Sequence, residues 1–151
     1  LQTLPVESLK AYATNPDWFV AEIAHHIVDS ADHLALSITG EIALTGKGEP
    51  PIADIETLSD LSRLADQAAT VDRILVAAAD LDDVWLDLEN HRGKFRRLRS
   101  TVLSQAIHHA TEHRAQIASA LEAKGFTPIN LDDISLWHYE KYETENGLRD
   151  K

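Results

Sequence analysis

Ile107-His108-His109-Ala110-Thr111-Glu112-His113-Arg114-Ala115-Gln116-Ile117 reads as the interior of a long amphipathic helix. At roughly 100° per residue, Val102, Ala106, Ala110, Ile117, Ala120 and Leu121 share one apolar stripe, and His109 and His113 fall inside it. His108 points the other way. A stripe of that length must be buried against other elements, so the segment argues for a fold of packed helices.

The two imidazoles one turn apart also carry chemistry. A buried imidazole needs both ring nitrogens satisfied. An inward-facing i, i+4 pair meets that need by giving one nitrogen each to a divalent cation and the other to a carboxylate or carbonyl. The competing reading is a pair of ordinary core or surface histidines, since eight histidines in a mostly helical chain fall four apart by chance. No Glu follows His109, so the metalloprotease pattern His-Glu-x-x-His is absent.

Working outward, the chain reads as helix after helix. Asn15-Pro16 is an expected N-cap and N1 pair, and the pattern from Trp18 to Ile38 runs at helical period up to Gly40. Gly46 to Pro51, with two glycines and two prolines, reads as a loop. Thr57 or Ser59 is expected to cap a helix that keeps Leu58, Leu61, Leu64, Ala65, Ala68, Val71, Leu75 and Ala78 on one face through about Ala79. Asp80 to Glu89 reads as a turn or irregular segment. The long helix is expected from about Lys94 to Lys124, with Gly125 at the C′ position and Pro128 beyond. A short aromatic helical segment, Leu131 to Glu143, comes last. Its Trp137 and Tyr139, after Asp132-Asp133, either cover the mouth of the bundle or dock this segment by aromatic burial. No strand with convincing alternation and no repeat is evident. The expected fold class is therefore all-α, an up-and-down four-helix bundle with a short C-terminal helical segment, forming one domain over residues 1–151.

Composition limits the function. The 151 residues suffice for a sizeable core, and the formal charge of −11 argues against nucleic acid or an anionic membrane surface as partner. The one basic run, Arg92 to Arg99, reads as a solvated helix entry. With no Cys, any metal must be held by His, Asp, Glu or water, which suits a reducing cytoplasmic setting. No apolar run is long enough to span a bilayer. The chain opens on Leu1 and holds no Met, so an upstream segment is expected.

A bundle lets a third ligand come from a facing helix. In the helix from Trp18 to Ile38 the apolar direction is set by Ile23, Ile27, Ala31, Leu34 and Ile38; His26 lies at its margin and His25 nearly opposite. His26 is the better ligand candidate. His33, roughly 10 Å further along by helical rise, is too distant to share an ion with it. Glu22 and Asp29 share the margin with His26, where a carboxylate could take a free imidazole N–H or a proton, or simply form an exposed helix edge. Arg114, at the far edge of the stripe on the long helix, either binds a cofactor or substrate carboxylate or pairs with an acid between helices, and the second reading is favoured.

Pro16-Asp17-Trp18-Phe19-Val20-Ala21-Glu22-Ile23-Ala24-His25-His26-Ile27-Val28-Asp29 resembles the opening of the second helix in the DinB/YfiT-like superfamily, where a Trp precedes a ligand His by eight positions. His113-Arg114-Ala115-Gln116-Ile117 resembles that superfamily's His-Arg-Gly-Gln-Ile run, with another His four residues earlier. The likeness extends from about Pro16 to Tyr142. It implies a four-helix bundle, commonly homodimeric, with a mononuclear divalent metal, zinc or nickel, on His26, His109 and His113 and an open coordination position. It also implies a transferase acting with a low-molecular-weight thiol, or a hydrolase. The first helix of such a bundle needs more residues than Leu1 to Thr14, so part of it is expected upstream. The alternative class is a non-catalytic, metal- or small-ligand-binding homodimer.

Overall fold

The computed structural model describes residues 4–40, 44, 50–90, 93–126, 130 and 135–147. Residues 46–49 of the expected loop, Arg92, Pro128, Leu131, the Asp132-Asp133 pair and the Tyr139 side chain lie outside that description. A 3-10 helix, Val6–Lys10, is followed by α1 (Val20–Thr39), α2 (Leu58–Ala78), β1 (Trp85–Asn90), β2 (Gly93–Leu98), α3 (Arg99–Ala123) and α4 (Leu136–Glu145).

The helix α1 is the axis of the core. It packs against both α2 and α3 and touches the 3-10 helix. Its Val20, Ala21, Ile23, Ala24, Val28 and Ala35 are buried with Leu61, Leu64 and Val71 of α2 and with Ile117, Ala120 and Leu121 of α3. A smaller cluster of Ile38, Ala78 and Val102 lies toward the other end, with Leu86 and Leu88 packed on it. Each helix end has a local cause. Gly40, at φ 70°, stops α1 in the left-handed conformation and donates its N–H to Leu36 O at 2.8 Å. Thr57 and Asp60 form a reciprocal capping box at the start of α2.

The start of α1 differs from expectation. Its N-cap is Phe19, not Asn15. The Asn15 side chain instead accepts the Asp17 N–H and its carbonyl accepts the Trp18 N–H, so residues 15–18 form a turn that presents Trp18 ahead of the helix.

The all-α expectation is overturned by β1 and β2, which pair antiparallel with Trp85 opposite Leu98, Asp87 opposite Arg96 and Glu89 opposite Lys94. Asp80 to Val84 is turn and coil as expected, but from Trp85 to Glu89 the expected irregular segment is a strand, and α3 begins at Arg99 rather than Lys94. The molecule is therefore a helical assembly carrying a β-hairpin. Opposite charges face each other across the strands, with Arg96 Nε 3.1 Å from Asp87 Oδ1 and the Arg96 guanidinium 5.5 Å from the Trp85 ring. Leu86 and Leu88 occupy alternate positions and pack on the body, as one face of a half-buried strand should. Beyond the hairpin, Asp83 accepts hydrogen bonds from the Ser100 N–H (3.0 Å) and hydroxyl (2.9 Å), capping α3 from outside the helix.

The expected burial of Trp137 does not occur. It is 81% exposed on α4, and Tyr142 is 57% exposed.

Candidate metal centre

Between α1 and α3 three imidazoles meet. His26 comes from α1; His109 and His113 come from successive turns of α3. Their ring centroids are 5.0 Å (His26 to His109), 4.8 Å (His26 to His113) and 4.3 Å (His109 to His113) apart, each pair edge to face. The trio forms because both helices turn the same margin toward one another. Trp18, delivered by the turn before α1, closes one side, its ring 5.2 Å from His26 and 5.7 Å from His113.

Hydrogen bonding separates the three rings. His113 is buried, and its Nδ1 lies 2.8 Å from Gln116 Oε1. Nε2 of His26 and Nε2 of His109 face each other at 3.1 Å, and Ser30 Oγ stands 3.5 Å from His26 Nε2. Burial lowers the pKa of His26, and the neighbouring His113 lowers it further, against an opposing pull from Asp29. His109 is lowered for the same two reasons, burial first and His113 second. Both rings are thus biased toward the neutral form, which carries the lone pair a metal ion needs.

The donor set suits a divalent ion. One ligand atom from each of the three histidines lies within 4.8 Å of the others, so the group could hold a metal. Tetrahedral zinc with Zn–N near 2.1 Å separates its ligand nitrogens by about 3.4 Å, close to the spacing already seen between His26 and His109. Three imidazoles bring no charge of their own, so the ion would keep its full positive charge.

The family model described as the DinB family matches residues 1–146. The chain belongs to the DinB family. No curated protein matches it. Among the described residues of this DinB-family protein, no helix is long and apolar enough to cross a membrane.

The histidines His25, His33 and His108 lie outside this trio. His25 Nδ1 donates to the Ile52 carbonyl at 3.0 Å, on the side of α1 away from α3. That carbonyl is held in place because Gln67 bonds both the Ile52 N–H and the Pro50 carbonyl. His108 is exposed on α3. His33 is exposed and its Nδ1 donates to the Asp29 carbonyl at 2.8 Å.

The two acids expected near His26 are separated. Asp29 lines a cleft of about 380 Å³ with Ser30, His33, Leu34, Gln105 and His109. Glu22 lines a different cavity, between the 3-10 helix and residues 53–56. Among the described residues neither carboxylate hydrogen-bonds an imidazole of the trio. Arg114 lies in a groove between α2 and α3 and donates to Thr111 Oγ1 at 2.9 Å. Asp72 lines the same groove; partial burial raises its carboxyl pKa and the Arg114 guanidinium pulls it back. The Arg114 guanidinium thus acts on Asp72 electrostatically across the groove, while its hydrogen bond goes to Thr111 within α3. Sequence reading gave no role to Gln116, although it stands three positions after His113, one helical turn away and within reach of the same face.

Proposed function

We propose that His26, His109 and His113 hold one divalent metal ion, zinc or nickel, and that the protein is a metal-dependent transferase acting with a low-molecular-weight thiol, with a hydrolase as the nearest variant. The observation that carries the reading is the convergence of three imidazole donors within 4.8 Å of one another, beside an open cleft of about 380 Å³. Membership of the DinB family supports it. When bound, a divalent ion in a neutral three-histidine shell supplies the charge that lets a thiol or a water ionise near neutral pH. The chain has no Cys, so the thiol arrives with a small molecule.

The protein's own groups have separate tasks in this reading. Asp29, on the cleft wall beside His109, accepts the released proton. Glu22 lines a different cavity and takes no part in this proton transfer. Trp18 covers the His26 and His113 rings and keeps bulk water from that side. Arg114 acts as a strut toward Asp72 and not as a cofactor-binding residue. The active form is proposed to be a homodimer.

The test compares thiol-conjugation and hydrolysis rates of native, metal-stripped and His113→Ala protein across several low-molecular-weight thiols. Loss of rate in the last two, with restoration of the stripped protein by added zinc or nickel, is the expected result. Equal rates in all three, with metal binding demonstrated in the native protein, would leave a non-catalytic metal-binding scaffold.

A further inference from the structure

Gln116 joins two aromatic side chains that come from distant parts of the sequence. Its Oε1 lies 2.8 Å from Trp18 Nε1 and 2.8 Å from His113 Nδ1. An indole N–H can only donate, so the amide atom facing Trp18 must be the oxygen. That same oxygen faces His113 Nδ1, which must then carry the proton. The ring's lone pair is left on Nε2. Trp18 therefore fixes the amide, and the amide fixes the imidazole tautomer. Among the described residues, Nδ1 of His26 and Nδ1 of His109 have no such partner, and those two rings meet through their Nε2 atoms instead, so an acceptor at Nδ1 sets the tautomer of His113.

We propose that Gln116, itself held by Trp18, is the positioning residue that locks His113 as the Nδ1–H tautomer and keeps its Nε2 available to the divalent ion. This rests on the metal-centre reading above. An acceptor behind a ligating imidazole fixes ring orientation and raises ligand basicity, and losing one typically costs 10–100-fold in metal affinity. The Trp18 bond adds a second constraint, because an amide with a free rotor would hold His113 less firmly.

The experiment measures Co²⁺ affinity, by its absorption spectrum in competition with a chelator, for native protein and for Gln116→Leu, Gln116→Glu and Trp18→Phe. Circular dichroism in metal-free buffer checks that each variant is folded. Gln116→Leu, which keeps the bulk and removes the acceptor, is expected to weaken binding about 10–100-fold. Gln116→Glu keeps an acceptor and is expected to bind at least as well as native, a rescue that a merely space-filling role would not give. Trp18→Phe is expected to fall between native and Gln116→Leu. The ¹⁵N signals of the His113 ring in metal-free native protein are expected to report a proton on Nδ1. An Nε2–H ring, or native affinity in Gln116→Leu, would overturn the positioning role alone. Absence of Co²⁺ uptake by the native protein would overturn the metal centre as well.

Discussion

At the scale of single residues, helical phase decides which histidines matter. His25 and His26 are neighbours in sequence, yet about 100° of rotation sends one toward the Ile52 carbonyl and the other toward α3. We therefore expect His26→Ala, His109→Ala and His113→Ala each to abolish metal binding, while His25→Ala and His108→Ala leave about one ion per chain. Metal analysis of protein purified without an affinity tag checks this. Full occupancy in His109→Ala or His113→Ala would remove the assignment, and loss in His25→Ala would shift it by one residue. The phase was legible because the apolar positions Ile23, Ile27, Ala31, Leu34 and Ile38 define it within α1 alone. The tie between Trp18 and Gln116 was not, since it links positions 98 apart that only the packed fold brings together. Glu22 shows the same limit. It shares a helix margin with Asp29, and the segment at residues 53–56 encloses it in a separate cavity.

At the scale of elements, the helices could be read because period, caps and breakers agree, as with Thr57 at the head of α2 and Gly125 (φ 76°) after α3. The hairpin could not. Lys94, Arg96, Arg97 and Leu98 are good helix formers by propensity, and their cross-strand partners lie in a segment whose acids looked like a solvated turn. Alternation of Leu86, Leu88 with Asp87, Glu89 was the available signal. The hairpin's exit also ends in a cap with a charge. Asp83 is held below its ordinary carboxyl pKa by the Ser100 N–H first and the Ser100 hydroxyl second. A carboxylate depressed in the fold contributes stability that is fully present above its unfolded pKa, about 3.9, and lost as pH falls through the lower folded value. Below about pH 4 the native protein should thus lose stability more steeply than Asp83→Asn. Urea unfolding at a series of pH values provides the measurement, and identical acid limbs would show that this cap's charge contributes nothing.

At the scale of the whole molecule, α1 packs on α2 and on α3, while an apolar groove of about 540 Å³ remains between those two helices. Ile27, Ala31, Leu75, Leu103, Ala106 and Ala110 line it, and Val76 and Ile107 stand at its edge 71% and 66% exposed. Exposed apolar surface gathered at one place favours association, and a symmetric dimer covers the same patch on both copies at once. Two chains of charge −11 repel, so the driving force must be this apolar contact and not electrostatic attraction. A definite salt dependence follows: screening the repulsion should tighten the dimer, the reverse of an interface built on ion pairs. We expect sedimentation velocity at tens of micromolar to give a dimer that strengthens as salt is raised. Ile107→Glu should shift it to monomer without changing metal content, because that side chain points away from His109 and His113. A strict monomer at every salt concentration would refute the dimer. A dimer that Ile107→Glu leaves intact would place the interface elsewhere, with the exposed Trp137 of α4 the next surface to alter.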